Sequence, residues 1–385
     1  MSTRIAYIGA RIFDGAKWHD NAALLVNGDH IESIVDAGSV PYGVRRNSLN
    51  GGMLVPGFID LQVNGGGGEL LGADSTLNSI RVICATHAQF GTTGLLPTLI
   101  TDTPAVTQQV IEVGEQAAIE GIPGFLGLHL EGPHLSLARK GAHNPAYIRP
   151  MEEADLVNLI AANDLLPNLL VTVATENVTP EQIARLSAAG IVVSLGHTDA
   201  SFAAAMAAAD AGASMATHLF NAMSQIGNRE PGVVGATLHN AHLYAGLIAD
   251  GIHVDPATIG IALRGKTGPG KIFLVSDAMA QTGTDMTSFT LNGRTIIRAD
   301  GALRLENGTL AGADLTMIDA VAYMHRTIGL SLDEALRMAS LYPAEAMDIS
   351  GRYGHLHESA FANFLHLTPE LVVKSTWIDG QKVFG

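Results

Sequence analysis

Eight short apolar runs, separated by stretches of helical character, limit the folds open to this sequence. In chain order they are MLVPGFIDLQVN, TGLLPTLI, GFLGLHLEGP, NLLVTVATE, IVVSLGHT, ASMATHLFN, LYAGLIADGIH and KIFLVSDAM. Most are apolar without interruption, as expected of parallel strands buried on both faces rather than half-solvated antiparallel ones. Helix starts lie between them. Thr179-Pro180-Glu181-Gln182 offers an N-cap, a first-turn proline and a capping-box partner. Asp255-Pro256 opens a second helix, and Ser331-Leu332-Asp333-Glu334 a late one. Eight strand–helix alternations predict an α/β fold, a (β/α)8 TIM-like barrel over residues 56–351, with an open doubly wound sheet as the alternative.

The two ends read differently. Residues 1–55 carry short strand patterns with Asn-Gly and Gly-Gly turns, as in LLVNGDHIESIVD. Residues 352–385 end in LVVKSTWIDGQKVF, again strand-like around an Asp-Gly turn. The two segments are expected to form one small β-domain beside the barrel. A further β-like stretch, SFTLNGRTIIRADGALRLENGTLAG, follows the last barrel run and reads as a hairpin insertion.

Composition narrows the function. With 385 residues, 47% of them apolar and 15% charged, the chain suits a globular protein with a large core. The formal net charge of −15 argues against a nucleic-acid or anionic-membrane partner, which needs a basic footprint. It leaves room for a small anionic substrate held by a few local donors. No apolar run reaches membrane-spanning length, and the amino terminus has no basic region followed by an apolar stretch, so no secretory leader is expected. Cys84 is the single cysteine, which excludes an intramolecular disulfide and suits a reducing compartment. A cytoplasmic enzyme is expected.

In such a barrel the polar residues at the carboxyl ends of strands face the active site. The third run ends in His129-Leu130-Glu131, the fifth in Gly196-His197-Thr198, the sixth in Thr217-His218 and the eighth in Ser276-Asp277. Two imidazoles and a carboxylate make a catalytic zinc set with a position open for water, so Glu131, His197 and His218 are the expected metal ligands. Asp277 is the expected general base, taking a proton from water and returning it to a leaving amine. His129 shares strand parity with Glu131 and is either a support for the ligands or a packed core residue. The run Gly65-Gly66-Gly67-Gly68 is no phosphate loop, because no Gly-Lys-Ser/Thr follows; a tight turn near the metal is expected there.

These residues carry a resemblance. PGFIDLQVNGGGG, LHLEGPHLSLARKGAHNP, SLGHTDA, THLFNAM, ADGIHV, LVSDAM and LAGADLTMIDAV, in that order, resemble the N-acetylglucosamine-6-phosphate deacetylases of the amidohydrolase superfamily. The resemblance implies a deacetylase with a single divalent metal per chain, zinc first and iron, cobalt or manganese as alternatives. It implies one metal because Gln62-Val63-Asn64 stands where two-metal relatives place His-x-His, and Thr175-Glu176 brings no bridging Lys. It further implies substrate contacts from Gln62, Ala142, His143, Asn221, Ala222, Arg229 and His253, the last four holding the phosphorylated sugar. A homodimer is implied too, in which Arg229 could reach the neighbouring subunit's site. The sequence departs from its relatives at Ala362-Asn363, where they show Ala-Asp. Two rivals stand beside this reading: a related hydrolase acting on N-acetylgalactosamine 6-phosphate or another amide, and a non-catalytic barrel scaffold.

Overall fold

Parallel strands buried on both faces need helices to cover them, and this chain supplies one after each strand. In the computed structural model, which describes residues 4–385, eight strands pair in parallel in sequence order. They are β1 (Phe58–Val63), β2 (Thr92–Ile100), β3 (Leu128–Glu131), β4 (Leu169–Val173), β5 (Val192–Leu195), β6 (Met215–Ala216), β7 (Tyr244–Leu247) and β8 (Ile272–Leu274). The expected helix starts are in place. Thr179 Oγ1 accepts the Gln182 N–H while the Gln182 side chain accepts the Thr179 N–H at 2.9 Å, a closed capping box. Asp255 caps Pro256–Gly265 through the Ala257 N–H at 2.8 Å.

The seam between β1 and β8 lies at the carboxyl end of the barrel. Gln62 O accepts the Asp277 N–H at 3.0 Å, and Asn64 N–H donates to Ala278 O at 2.8 Å. Below them the buried Asp60 carboxylate accepts the Ser276 N–H at 3.2 Å. Burial pushes the Asp60 carboxyl up to about 7, and these backbone donors only partly offset it.

Two expectations need correcting. The run MLVPGFIDLQVN is two strands, not one. Met53–Pro56 pairs antiparallel with Phe364–Leu367 in a terminal sheet, and the chain passes into β1 at Gly57. A Cβ on Gly57 would lie 2.0 Å from Thr93 Oγ1, so glycine lets the two layers meet. Continuous apolar character hid the break. The insertion is also more than a hairpin. It forms a four-stranded antiparallel meander, β9 (Ser288–Leu291), β10 (Arg294–Ala299), β11 (Ala302–Leu305) and β12 (Leu310–Ala313). This meander has its own apolar core, including Phe289, Ile296 and Leu303.

The chain ends do meet. One six-stranded sheet runs Gln381–Phe384, Val373–Ile378, Phe364–Leu367, Met53–Pro56, Arg11–Phe13, Trp18–His19. Asp379 and Gly380, at φ +49° and +72°, make the expected Asp-Gly hairpin turn. Asn363 steadies that turn, since its Oδ1 accepts the Asp379 N–H at 2.7 Å. A second sheet carries the Asn-Gly hairpin of Ala22–Asn27 and His30–Asp36. Among the described residues no helix is long and apolar enough to cross a membrane.

Candidate active site

Four strand ends deliver four polar residues to one cavity of about 510 Å³ at the barrel mouth. Glu131 is the last residue of β3, while His197, His218 and Asp277 each follow β5, β6 and β8 by two or three residues. All four are buried. His197, His218 and Asp277 have φ of +47°, +30° and +50°, a region that non-glycine residues enter only under constraint. Leaving the strand this way is what turns each side chain into the cavity.

His218 Nε2 lies 3.1 Å from Glu131 Oε1 and 3.0 Å from His197 Nε2, and His197 Nε2 lies 3.2 Å from the same carboxylate oxygen. Three donor atoms mutually spaced this way match one face of a tetrahedron, whose edge is ~3.3 Å for ligands at ordinary zinc distances. His143 is close as well: ligand atoms of Glu131, His143 and His197 all fall within 4.8 Å of one another. Hydrogen bonding separates the two candidate sets. His197 Nδ1 donates to Arg139 O at 2.8 Å, and because a carbonyl only accepts, its Nε2 lone pair faces the cluster. In His143 the Thr101 N–H donates to Nδ1 at 3.3 Å, so neutral His143 carries its proton on Nε2, 3.8 Å from Glu131 Oε2. His143 therefore turns an N–H toward the cluster, whereas Glu131, His197 and His218 bring their donor atoms within 3.2 Å of one another, the tighter cation cradle. Burial raises the Glu131 carboxyl, but the His197 and His218 imidazoles beside it outweigh that and hold it well below the usual range. Burial pushes His143 down to about 3, helped by the neighbouring imidazoles. The family and this buried Glu/His cluster together indicate a divalent-metal site.

Asp277 stands across the cavity. Asn64 Nδ2 donates to its Oδ1 at 2.7 Å, which fixes the carboxylate and leaves Oδ2 for chemistry. Burial and then the Glu131 charge raise the Asp277 carboxyl to about 6. The sequence reading did not assign Asn64 this part, although it lies on the strand end already singled out. Gln62 requires a correction. It does not line the cavity; it sits a layer deeper and donates Nε2–H to Glu131 Oε1 at 3.2 Å. His129 is also inside the barrel, bonded to Thr172 Oγ1 at 2.7 Å, and burial lowers it to about 4. The glycine run forms the expected tight turn, pairing Gly65–Gly66 with Glu69–Leu70.

Ala142, Asn221, Ala222 and His253 line the same cavity. His253 Nδ1 donates to Asp250 Oδ2 at 2.6 Å, leaving Nε2 as the ring atom free for a ligand. Arg229 does not line it; in this chain it lies in an exposed stretch outside. What the sequence reading missed is the insertion. Leu291, Arg304 and Leu310–Gly312 form a wall of the cavity, and Arg294 donates to Ala142 O across it. The only signal in the sequence was that this β-like stretch directly follows the strand end bearing Asp277.

The Amidohydrolase family model matches residues 53–383, and the NagA composite domain model matches residues 5–54. The chain is 41% identical over 336 residues to an N-acetylgalactosamine-6-phosphate deacetylase of Shewanella sp. (strain ANA-3), covering 87% of this chain and 84% of that protein. It is 35% identical over 362 residues to an N-acetylglucosamine-6-phosphate deacetylase of Haemophilus influenzae, covering 93% and 94%. It is also similar to the crystal structure of N-acetylglucosamine-6-phosphate deacetylase from Pasteurella multocida, with a TM-score of 0.95 at 36% identity over 98% of this chain and 99% of that one. With a family model spanning most of its length and such relatives along nearly all of it, this chain belongs to the amidohydrolase family.

Proposed function

We propose that the protein removes the acetyl group of N-acetylglucosamine 6-phosphate, giving glucosamine 6-phosphate and acetate. The observation that carries this reading is the pairing of Glu131, His197 and His218 with Asp277 across one cavity, in a chain whose relatives bear deacetylase names. Glu131, His197 and His218 would hold one divalent ion, zinc by preference and iron, cobalt or manganese otherwise. Bound there, the ion would supply Lewis acidity, polarising the amide carbonyl and making water more acidic near neutral pH.

The chain's own residues do the rest. Asp277 Oδ2 accepts a proton from water as the water oxygen adds to the amide carbon. It then returns that proton to the nitrogen as the C–N bond breaks, so the amine leaves neutral. Asn64 keeps Oδ1 engaged and the carboxylate in place. Gln62 holds Glu131 from behind. His143 Nε2–H donates to the acetyl oxygen or a sugar hydroxyl, and Asn221, Ala222 and His253 meet the phosphorylated end. Arg229, exposed here, would act from a partner subunit in a homodimer. The single cysteine fits a cytoplasmic setting.

A second reading has its own support: the relative at 41% identity is named for the galacto epimer. A scaffold role has none, since a scaffold has no use for a buried carboxylate held beside a cation cradle. Acetate release by metal-loaded protein from both epimers is the test. A kcat/KM higher for the gluco sugar supports the first reading; the reverse supports the second. Release from neither overturns both. Elemental analysis of active protein is expected to give about one equivalent of metal per chain. Two equivalents, both needed for activity, would show that Gln62 and Asn64 do not limit the site to one ion.

A further inference from the structure

Strand β2 carries no metal ligand, yet it ends against one. Its last residue, Ile100, is the ladder partner of Glu131, so Thr101 stands one step beyond the ladder, beside the backbone of that carboxylate. Thr101 is buried, and its hydroxyl lies near two groups of the site. Oγ1 is 2.8 Å from His143 Nδ1 and 3.3 Å from Glu131 O. The fit is close. A Cβ on Gly132 would come within 2.1 Å of Thr101 Oγ1, so the glycine after Glu131 is what lets the hydroxyl reach in.

The backbone decides which way the protons run. The Thr101 N–H donates to His143 Nδ1 at 3.3 Å, so that nitrogen presents a lone pair. A nitrogen that accepts there cannot also donate to Oγ1. The hydroxyl therefore donates as well, and the shorter of its two contacts, the one to Nδ1, takes the hydrogen. One residue thus places two donors on one ring nitrogen, which leaves the proton of neutral His143 on Nε2. The position of the ring gives that assignment its weight. It sits edge to face with His197 at 4.3 Å, and ligand atoms of Glu131, His143 and His197 fall within 4.8 Å of one another. In the other tautomer Nε2 would offer a lone pair to a cation and no proton to a substrate.

We propose that Thr101 is a positioning residue for acyl recognition, holding His143 through hydroxyl and N–H as an Nε2–H donor to the substrate. This rests on the deacetylase reading above, and two measurements keep the failures apart. The first needs no turnover: nitrogen NMR of the His143 ring in zinc-loaded wild type, Thr101→Val and Thr101→Ser, assigned with His143→Gln. Wild type should show Nε2 protonated and Nδ1 bare but hydrogen-bonded. Thr101→Val should move Nδ1 toward the resonance of an unbonded nitrogen, and Ser should return it. A protonated Nδ1 in wild type, or a resonance indifferent to Val, would overturn the inference. The second is a double-mutant cycle in kcat/KM on whichever N-acetylhexosamine 6-phosphate epimer is the better substrate. Thr101→Val is expected to lose about two- to ten-fold, the worth of one neutral hydrogen bond, with Ser restoring most of it. In His143→Gln the same change should cost nothing further, because Thr101 acts through that ring. An equal loss in both backgrounds, or a loss matched by weaker zinc binding in chelator competition, would overturn the inference and assign the effect to the Glu131 backbone. Protein that releases no acetate from either epimer would sink the deacetylase reading, while the resonances still decide the contact.

Discussion

The barrel mouth and the terminal β-domain solve opposite problems with the same kinds of element. In the terminal domain Tyr7, Phe364 and Trp377 pack ring on ring, Phe364 and Trp377 at 4.7 Å and nearly parallel, Tyr7 and Phe364 at 4.9 Å edge to face. Among these contacts only the Tyr7 hydroxyl titrates, and burial pushes it up to about 12. Left-handed backbone there falls at turns, as at Asp379 and Gly380. At the mouth, carboxylates and imidazoles are buried together, and His197, His218, Ala222 and Asp277 all take positive φ. Such residues cost roughly 1–3 kcal/mol each and persist only where the surroundings over-determine them. Stability is thus concentrated in one region and drawn upon in the other. A substitution should move one property and leave the other alone.

The strongest way to break that separation is at Asp277. Asp277→Asn is expected to lower kcat by about 10² to 10⁴, the usual worth of general acid–base help. Stability should hold or rise, because the change removes a buried charge facing Glu131. Thermal unfolding beside turnover decides it. A variant that loses activity only because it melts would mean that the mouth also carries the fold.

The converse substitution is Trp377→Ala. Removing a buried aromatic of this kind costs about 3–5 kcal/mol, read as a lower denaturant midpoint. At temperatures where the variant is folded, kcat/KM per folded molecule should equal that of wild type. A fall in kcat without unfolding would show that the terminal domain bears on the catalytic geometry.

The sequence was legible where a local rule decided the outcome. Glu131, His197, His218 and Asp277 each end a buried apolar run, so strand direction sends them to the same end of the barrel. The hairpin turns followed from Asn-Gly and Asp-Gly for the same reason. What depth and tertiary contact decide was not legible. Gln62 and Asn64 share a strand face, yet only Asn64 reaches the cavity, because one pleat repeat separates their layers. Arg304 alternates with buried leucines as any solvent-facing strand residue would, and nothing local says what its outer face meets. Arg229 has no periodic context, and in this chain it lies exposed, outside the cavity.

The finest test of the comparison is acid stability, through His87. This residue sits on the helix Leu77–Ala88, fully buried, and its Nε2 donates to Gly65 O at 2.9 Å beneath the glycine turn beside Asn64. Burial lowers its pKa from 6.5 to about 4, only partly offset by that bond. The folded state therefore wants it neutral, whereas the unfolded chain binds a proton near pH 6.5. The contribution is complete above that pH, declines as pH falls through it, and levels off once the folded form protonates near 4. At pH 5 the loss is about 2 kcal/mol, from roughly 1.4 kcal/mol per pH unit. His87→Gln cannot titrate. Its deficit relative to wild type should therefore shrink by about that amount between pH 7.5 and pH 5 in urea unfolding. The Trp377→Ala deficit should be the same at both pH values, since that core loses only apolar packing. A His87→Gln deficit that does not change with pH would mean that His87 is already charged or solvated in the fold, and that the mouth's supporting layer is not drawn on in the way its burial indicates.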